Sequence, residues 1–105
     1  MKSKDYTQYL TKEDKLNVSF TQNYGKISRF SVNYSSLIKG RWRCIMRVDN
    51  CHGNPHRHTY HLHRKEFRVI LGSDTNIVFT WAKKYIIKDY QKIKENYLRV
   101  KPRNI

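Results

Sequence analysis

The segment Asp49 to Arg64, "DNCHGNPHRHTYHLHR", holds every histidine of the chain, five imidazoles within twelve positions: His52, His56, His58, His61 and His63. Three chemistries use such a cluster. An H-x-H pair on a strand offers two nitrogen ligands to a metal, with His52, Asp49 or Cys51 as a third. A pair of imidazoles also works as general base and general acid near neutral pH. The structural alternative is a set of rings that pack, bond to backbone or face water. Metal binding is the weaker of the two functional readings. No C-x-x-C or H-E-x-x-H frame is present, and the cluster sits among arginines, which disfavour a cation. No metal is therefore assigned.

Acid-base work fits better. Metal-free RNA cleavage takes its nucleophile from the 2′-hydroxyl of the RNA itself, so the protein needs two imidazoles and a cation for the charged phosphorane. His52, His56 and His58 are the candidate catalytic residues. Asp49 would orient His52 or an arginine, and no cofactor is required. Arg43, Arg47, Arg57 and Arg64 are the candidate nucleic-acid contacts. In a regular strand His56, His58, Tyr60 and Leu62 share one face, and Arg57, Thr59, His61 and His63 the other. The two H-x-H pairs therefore point apart, and His61 and His63 are read as solvated. Cys51 next to His52 does not make a thiolate dyad by adjacency alone.

These residues must be positioned by a small frame. The chain has 105 residues, enough for one domain spanning 1–105. It carries 22 Lys and Arg against 8 Asp and Glu, a net charge of +14. Residues 1–52 hold ten basic and four acidic side chains and residues 53–105 hold twelve and four, so no basic tail explains the excess. A cationic domain attracts polyanions, through release of condensed counterions, or an acidic protein partner. RNA is the expected partner. No apolar leader or membrane-length run stands out, and two cysteines without a secretory context point to the cytoplasm with both thiols free.

Residues 1–15 are polar and form either a frayed end or an edge strand. "LNVSFTQNY" and "ISRFSVNYSSLI" alternate as strands, separated by a turn at Gly25-Lys26, with a second hairpin signal at Lys39-Gly40. "RWRCIMRV" alternates too. A regular strand there puts Trp42, Cys44, Met46 and Val48 on one face and Arg41, Arg43 and Arg47 on the other. Gly53 and Pro55 shape a loop before the histidine strand, and "EFRVILG" extends that strand or adds another. Ser73 or Asp74 caps an amphipathic helix that runs to about Leu98, with Ile77, Val78, Trp81, Ala82, Tyr85, Ile86, Tyr90, Ile93 and Tyr97 recurring at three and four. The expected fold class is α+β: an antiparallel sheet of four to five strands with one long C-terminal helix packed on one face.

The segment "FSVNYSSLIKGRWRCIMRVDNCHGNPHRHTYH", residues 30–61, carries the pattern R-x-D-N-x-H-G followed by H-x-H. It resembles small prokaryotic domains similar to TumE-type toxins of toxin–antitoxin systems. The shared positions are Arg47, Asp49, Asn50, His52, Gly53, His56 and His58, while Val48 stands where the pattern has an aromatic. The resemblance implies a strand-rich domain of this size with a late helix, held by an antitoxin protein. The resulting expectation is a toxin-like, RNA-directed, metal-independent ribonuclease, with a homodimer left open. The alternatives are a nucleic-acid-binding module without chemistry, gripping through its arginines and stacking bases on tyrosines, or a small metalloprotein with an H-x-H site.

Overall fold

The computed structural model describes residues 1–51, 53–61 and 64–99, with the side chains of residues 61 and 64–67 outside that description. His52 and His63 lie outside the described residues, as do the side chains of His61 and Arg64. The sheet has six strands in simple sequence order: β1 (Lys2–Thr11), β2 (Asp14–Asn23), β3 (Lys26–Ile38), β4 (Arg41–Asp49), β5 (His56–His61) and β6 (Arg64–Ile70). Each strand pairs antiparallel with the next. Among the described residues one helix follows, α1 (Thr75–Arg99). The α+β class stands, with more strands than four or five. The polar N-terminal stretch is an edge strand, and "EFRVILG" lies largely in a strand of its own.

Turn chemistry fixes the register. Asn23 pairs with Lys26 and Ile38 with Arg41, which leaves two-residue loops, Tyr24-Gly25 and Lys39-Gly40. All four of those residues have positive φ, the geometry a right-twisted hairpin selects. Glycine meets that demand without a Cβ clash, and Tyr24 and Lys39 bear the strain.

The apolar alternation of β2 and β3 points at the helix. Leu16, Val18, Phe30, Val32 and Tyr34 are buried, and on α1 so are Val78, Phe79, Ala82, Ile86, Ile93 and Tyr97. Phe79 packs on Phe20 and Phe30 at ring separations of 5.2 and 5.3 Å. Asp74 Oδ1 accepts from the Ile77 N–H at 3.1 Å and caps the helix. Asn76 ties the same end to the β2–β3 turn, accepting from the Ile27 N–H and donating to the Gly25 carbonyl. At the other end Lys94 reaches the buried Asp14. No helix among the described residues is long and apolar enough to cross a membrane.

A bulge in β4 overturns the face assignment expected of a regular strand. Tyr34 pairs with Met46, but Ser35 pairs with Cys44, so Ile45 is the extra residue. Ile45 and Met46, the residues at the break, are both buried. Beyond the bulge the faces exchange. Trp42 and Cys44 lie on the face away from the helix, and Arg43 shares the helix side with its partner Ser36. Trp42 is therefore not part of the surface under α1. It is 40% exposed, with Tyr9 edge-on at 6.4 Å and the Lys15 ammonium 4.0 Å above its ring.

Candidate functional site

Partners across an antiparallel pair share a face. One row across the outer face of the sheet, the face away from α1, therefore runs Ser31, Asp49, His56, Ile70, and the next runs Asn33, Arg47, His58, Arg68. The bulge at Ile45 is what places Arg47 and Asp49 here while Arg43 is on the helix side. Arg57 pairs with Val48 and Val69 and also faces the helix. Of the candidate residues, the structure thus brings together Arg47, Asp49, His56 and His58. It sends Arg43 and Arg57 to the other side of the sheet, and His52 and the Arg64 side chain lie outside the described residues.

Asp49 is the hub. It is 1% exposed, and its Oδ2 stands 2.7 Å from Arg47 Nε and 3.3 Å from His58 Nε2. Its Oδ1 accepts from the Cys51 N–H at 3.1 Å. Burial pushes the Asp49 carboxyl up, but the Cys51 N–H, the Arg47 guanidinium and His58 together outweigh it and hold the group below the usual carboxylate range. Asp49 is thus an anion at neutral pH, and among the described residues it orients Arg47. The Arg47 side chain keeps 36% exposure. Burial draws its pKa down, yet the neighbouring Tyr60 and Asp49 leave it raised. A charged guanidinium held from below by a carboxylate and open above is suited to gripping phosphate.

The two imidazoles differ sharply. His58 is fully buried and bound to Asp49, so it cannot touch a substrate; it positions the carboxylate. His56 is half-buried, 6.3 Å from the His58 ring centroid, and its Nδ1 lies 2.6 Å from the Asn54 carbonyl oxygen. A carbonyl only accepts, so Nδ1 carries the proton and donates. In the neutral ring Nε2 is then the bare acceptor, the form a general base requires.

The loop before β5 is built to hold that arrangement. Asn50 Oδ1 accepts from the Phe30 N–H and Asn50 Nδ2 donates to the Ser28 carbonyl, both at 2.9 Å, which staples the loop to β3. The Gly53 N–H bonds back to the Asn50 carbonyl, and Gly53 itself has φ of 109°. Pro55 is fully buried, and its carbonyl accepts from the Leu71 N–H. The staple by Asn50 and the tautomer-setting carbonyl of Asn54 were not assigned from sequence. The "DN" and "GNP" turn residues signal an ordered loop, but not where their amides and carbonyls point.

Among the described residues no three His, Cys, Asp or Glu side chains converge in a way that would hold a metal ion. A second buried carboxylate, Asp14, lies at the far end of the helix side. It accepts from Thr11 Oγ1, Tyr34 Oη and Ser36 Oγ at 2.6 to 2.8 Å, with Lys94 Nζ at 3.9 Å. Burial pushes its carboxyl up, and the three hydroxyls and Lys94 more than reverse this. Burial and the Asp14 contact in turn push the Tyr34 hydroxyl far above the usual phenol range.

Residues 1–103 match the family model of a domain of unknown function, DUF7718. No curated protein and no solved structure matches the chain.

Proposed function

The chain belongs to the DUF7718 family, whose description carries no activity, and from the site itself we propose that it is a metal-independent ribonuclease acting through histidine acid-base chemistry. The observation that carries this reading is the pairing of His56, with Nδ1 committed to the Asn54 carbonyl and Nε2 left to accept, with an Arg47 guanidinium fixed by buried Asp49 on the same face. In this mechanism His56 Nε2 takes the proton of an RNA 2′-hydroxyl. The freed oxygen attacks the adjacent phosphorus, and the bond from phosphorus to the 5′ oxygen breaks. A 2′,3′-cyclic phosphate remains on one fragment. The departing 5′ oxygen gains a proton from a second imidazole, a role that falls to His52 by its place in the sequence. Arg47 neutralises the charge that gathers on the phosphorane oxygens.

The net charge of +14 supports RNA as the polyanion. A small, strongly cationic nuclease needs restraint in its own cell, and the resemblance of residues 30–61 to TumE-type toxins supplies the context: a cytoplasmic toxin masked by an acidic surface of an antitoxin protein.

The test uses the 2′-hydroxyl. Single-stranded RNA incubated with the protein in excess chelator should yield cyclic phosphate ends. Replacing one nucleotide by its 2′-deoxy form should protect the bond that follows it and no other. Cleavage at the deoxy position, or cleavage abolished by chelator, would refute the mechanism.

A second reading, a binding module without chemistry, is favoured by one feature. Trp42 and Tyr9 are exposed on the same outer face as His56, with Lys15 over Trp42. Exposed rings with a cation suit base stacking. In that case RNA is retained intact under the same conditions.

A further inference from the structure

The face of the sheet beneath α1 holds an arrangement that the proposed cleavage does not use. Arg57 and Thr59 of β5 point toward the helix, opposite in direction to His56 and His58. They open into a cleft of about 310 Å³ between strand and helix, closed on the helix side by Tyr85, Asp89, Lys92 and Asn96. Met46 and Ile93 form its apolar floor. Arg57 Nε and Thr59 Oγ1 are buried and have no hydrogen-bond partner among the described residues. Among the described residues no ion pair joins Arg57 to Asp89.

A buried donor without a partner is disfavoured, and a guanidinium nitrogen more so than most. Arg47 Nε, Asp49 Oδ2 and His58 Nε2 are likewise buried without a regular hydrogen bond, but they face one another as charge pairs at 2.7 and 3.3 Å. In the cleft no such ion pair stands against Arg57 among the described residues. Two cations against one carboxylate give the cleft a positive balance suited to an anion. The space far exceeds what a bare phosphate fills, and it falls in the range of small-ligand sites. Its remaining groups match a nucleoside. Tyr85 stacks on Trp81 at 4.8 Å with planes 7° apart, which fixes a flat ring at the rim. Asn96 both donates and accepts, and Asp89 accepts from ring amino or ribose hydroxyl groups.

We propose that this cleft is a second binding site, for a nucleoside monophosphate. Arg57 Nε and Lys92 take the phosphate, and Thr59 donates its hydroxyl proton to a phosphate oxygen. Tyr85, Asn96 and Asp89 receive the nucleoside. The site is independent of the outer face, so it stands or falls without the ribonuclease reading.

Equilibrium dialysis of the full chain against adenosine 5′-monophosphate, adenosine and inorganic phosphate tests it. The monophosphate should bind saturably with Kd of about 1 mM or below, and the other two at least about tenfold more weakly. Arg57→Gln and Thr59→Val should each weaken the monophosphate, the former about tenfold or more, and His56→Gln should leave it unchanged. Lys92→Gln, on the exposed part of the helix, decides the matter if the Arg57 variant fails to fold, and about a threefold or greater loss is expected. Absence of saturable binding, equal binding of adenosine, equal binding of inorganic phosphate, or unaltered affinity in the Arg57 and Lys92 variants would overturn the assignment. So would loss of binding in His56→Gln alone, which would put the nucleotide on the other face.

Discussion

Asp14 and Asp49 are both buried carboxylates, both held below their ordinary range, and both flanked by a basic side chain. They differ in what they hold. The three hydroxyls on Asp14 all belong to the sheet or its first turn, and only Lys94 reaches it from the helix. Its close partners are neutral hydroxyls, with Tyr34 fully buried, and its one basic neighbour, Lys94, stands off at 3.9 Å. Asp49 grips an imidazole and a guanidinium, and the guanidinium remains partly exposed beside a second imidazole whose base nitrogen is free to accept. A buried acid with a depressed pKa is therefore no sign of function by itself. The useful sign is whether it holds a charged partner at close range on the same face as a second titratable ring, as Asp49 holds Arg47 on the face of His56 and Asp14 does not.

Substitutions at the two aspartates separate these roles. Asp49→Ala leaves a buried imidazole and a guanidinium nitrogen without their anion. It should cost about 3 to 5 kcal/mol in urea unfolding and also abolish tight RNA binding, because Arg47 loses its anchor. Asp14→Ala should cost less, about 1 to 3 kcal/mol, since it strands only neutral hydroxyls and a partly exposed lysine. Its RNA affinity, measured by filter binding, should match wild type. If Asp14→Ala weakened RNA as much as Asp49→Ala, the contrast between a scaffold carboxylate and a site carboxylate would be lost.

Smaller effects sharpen the same contrast. Trp42→Ala should weaken single-stranded RNA by about 1 to 3 kcal/mol, the worth of one stacked base, with no change in cleavage products. Acid should act on both aspartates alike. Each has a folded pKa below its unfolded value, so its stabilisation is complete above the unfolded value near 3.8 and is lost as pH falls through the folded one. Thermal midpoints followed below about pH 4 should therefore fall more steeply for wild type than for Asp14→Asn or Asp49→Asn. An unchanged acid limb in either variant would show that its carboxylate is not the group titrating.

Much of this frame is legible in the sequence because its determinants are local. Period two in Val18-Phe20 and Phe30-Val32-Tyr34, the Gly25 and Gly40 turns, the Asp74 cap and the three-four spacing of α1 each act over a few residues. The bulge at Ile45 is not legible. "RWRCIMRV" alternates well enough for a regular strand, and only pairing against Tyr34 and Ser35 shows that one residue is extra. That single residue decides which arginines share a face with the histidines, so Arg43 could not be told from Arg47 by pattern. Period two did place His56 with His58 and set Arg57 apart. It could not show that His58 is sealed while His56 is not, since burial depends on what the rest of the sheet and the Asn50 loop bring over it.

The most direct measurement is the rate at which single-stranded RNA is cut, in chelator, by the wild-type chain, His56→Gln and Asp14→Asn. A base at His56 predicts equal cyclic-phosphate yields from wild type and Asp14→Asn, and a rate about 10² to 10⁴ lower for a folded His56→Gln. A His56→Gln chain that cuts as fast as wild type, or a wild-type chain that leaves the RNA whole, would contradict the claim that the Asp49 site performs chemistry.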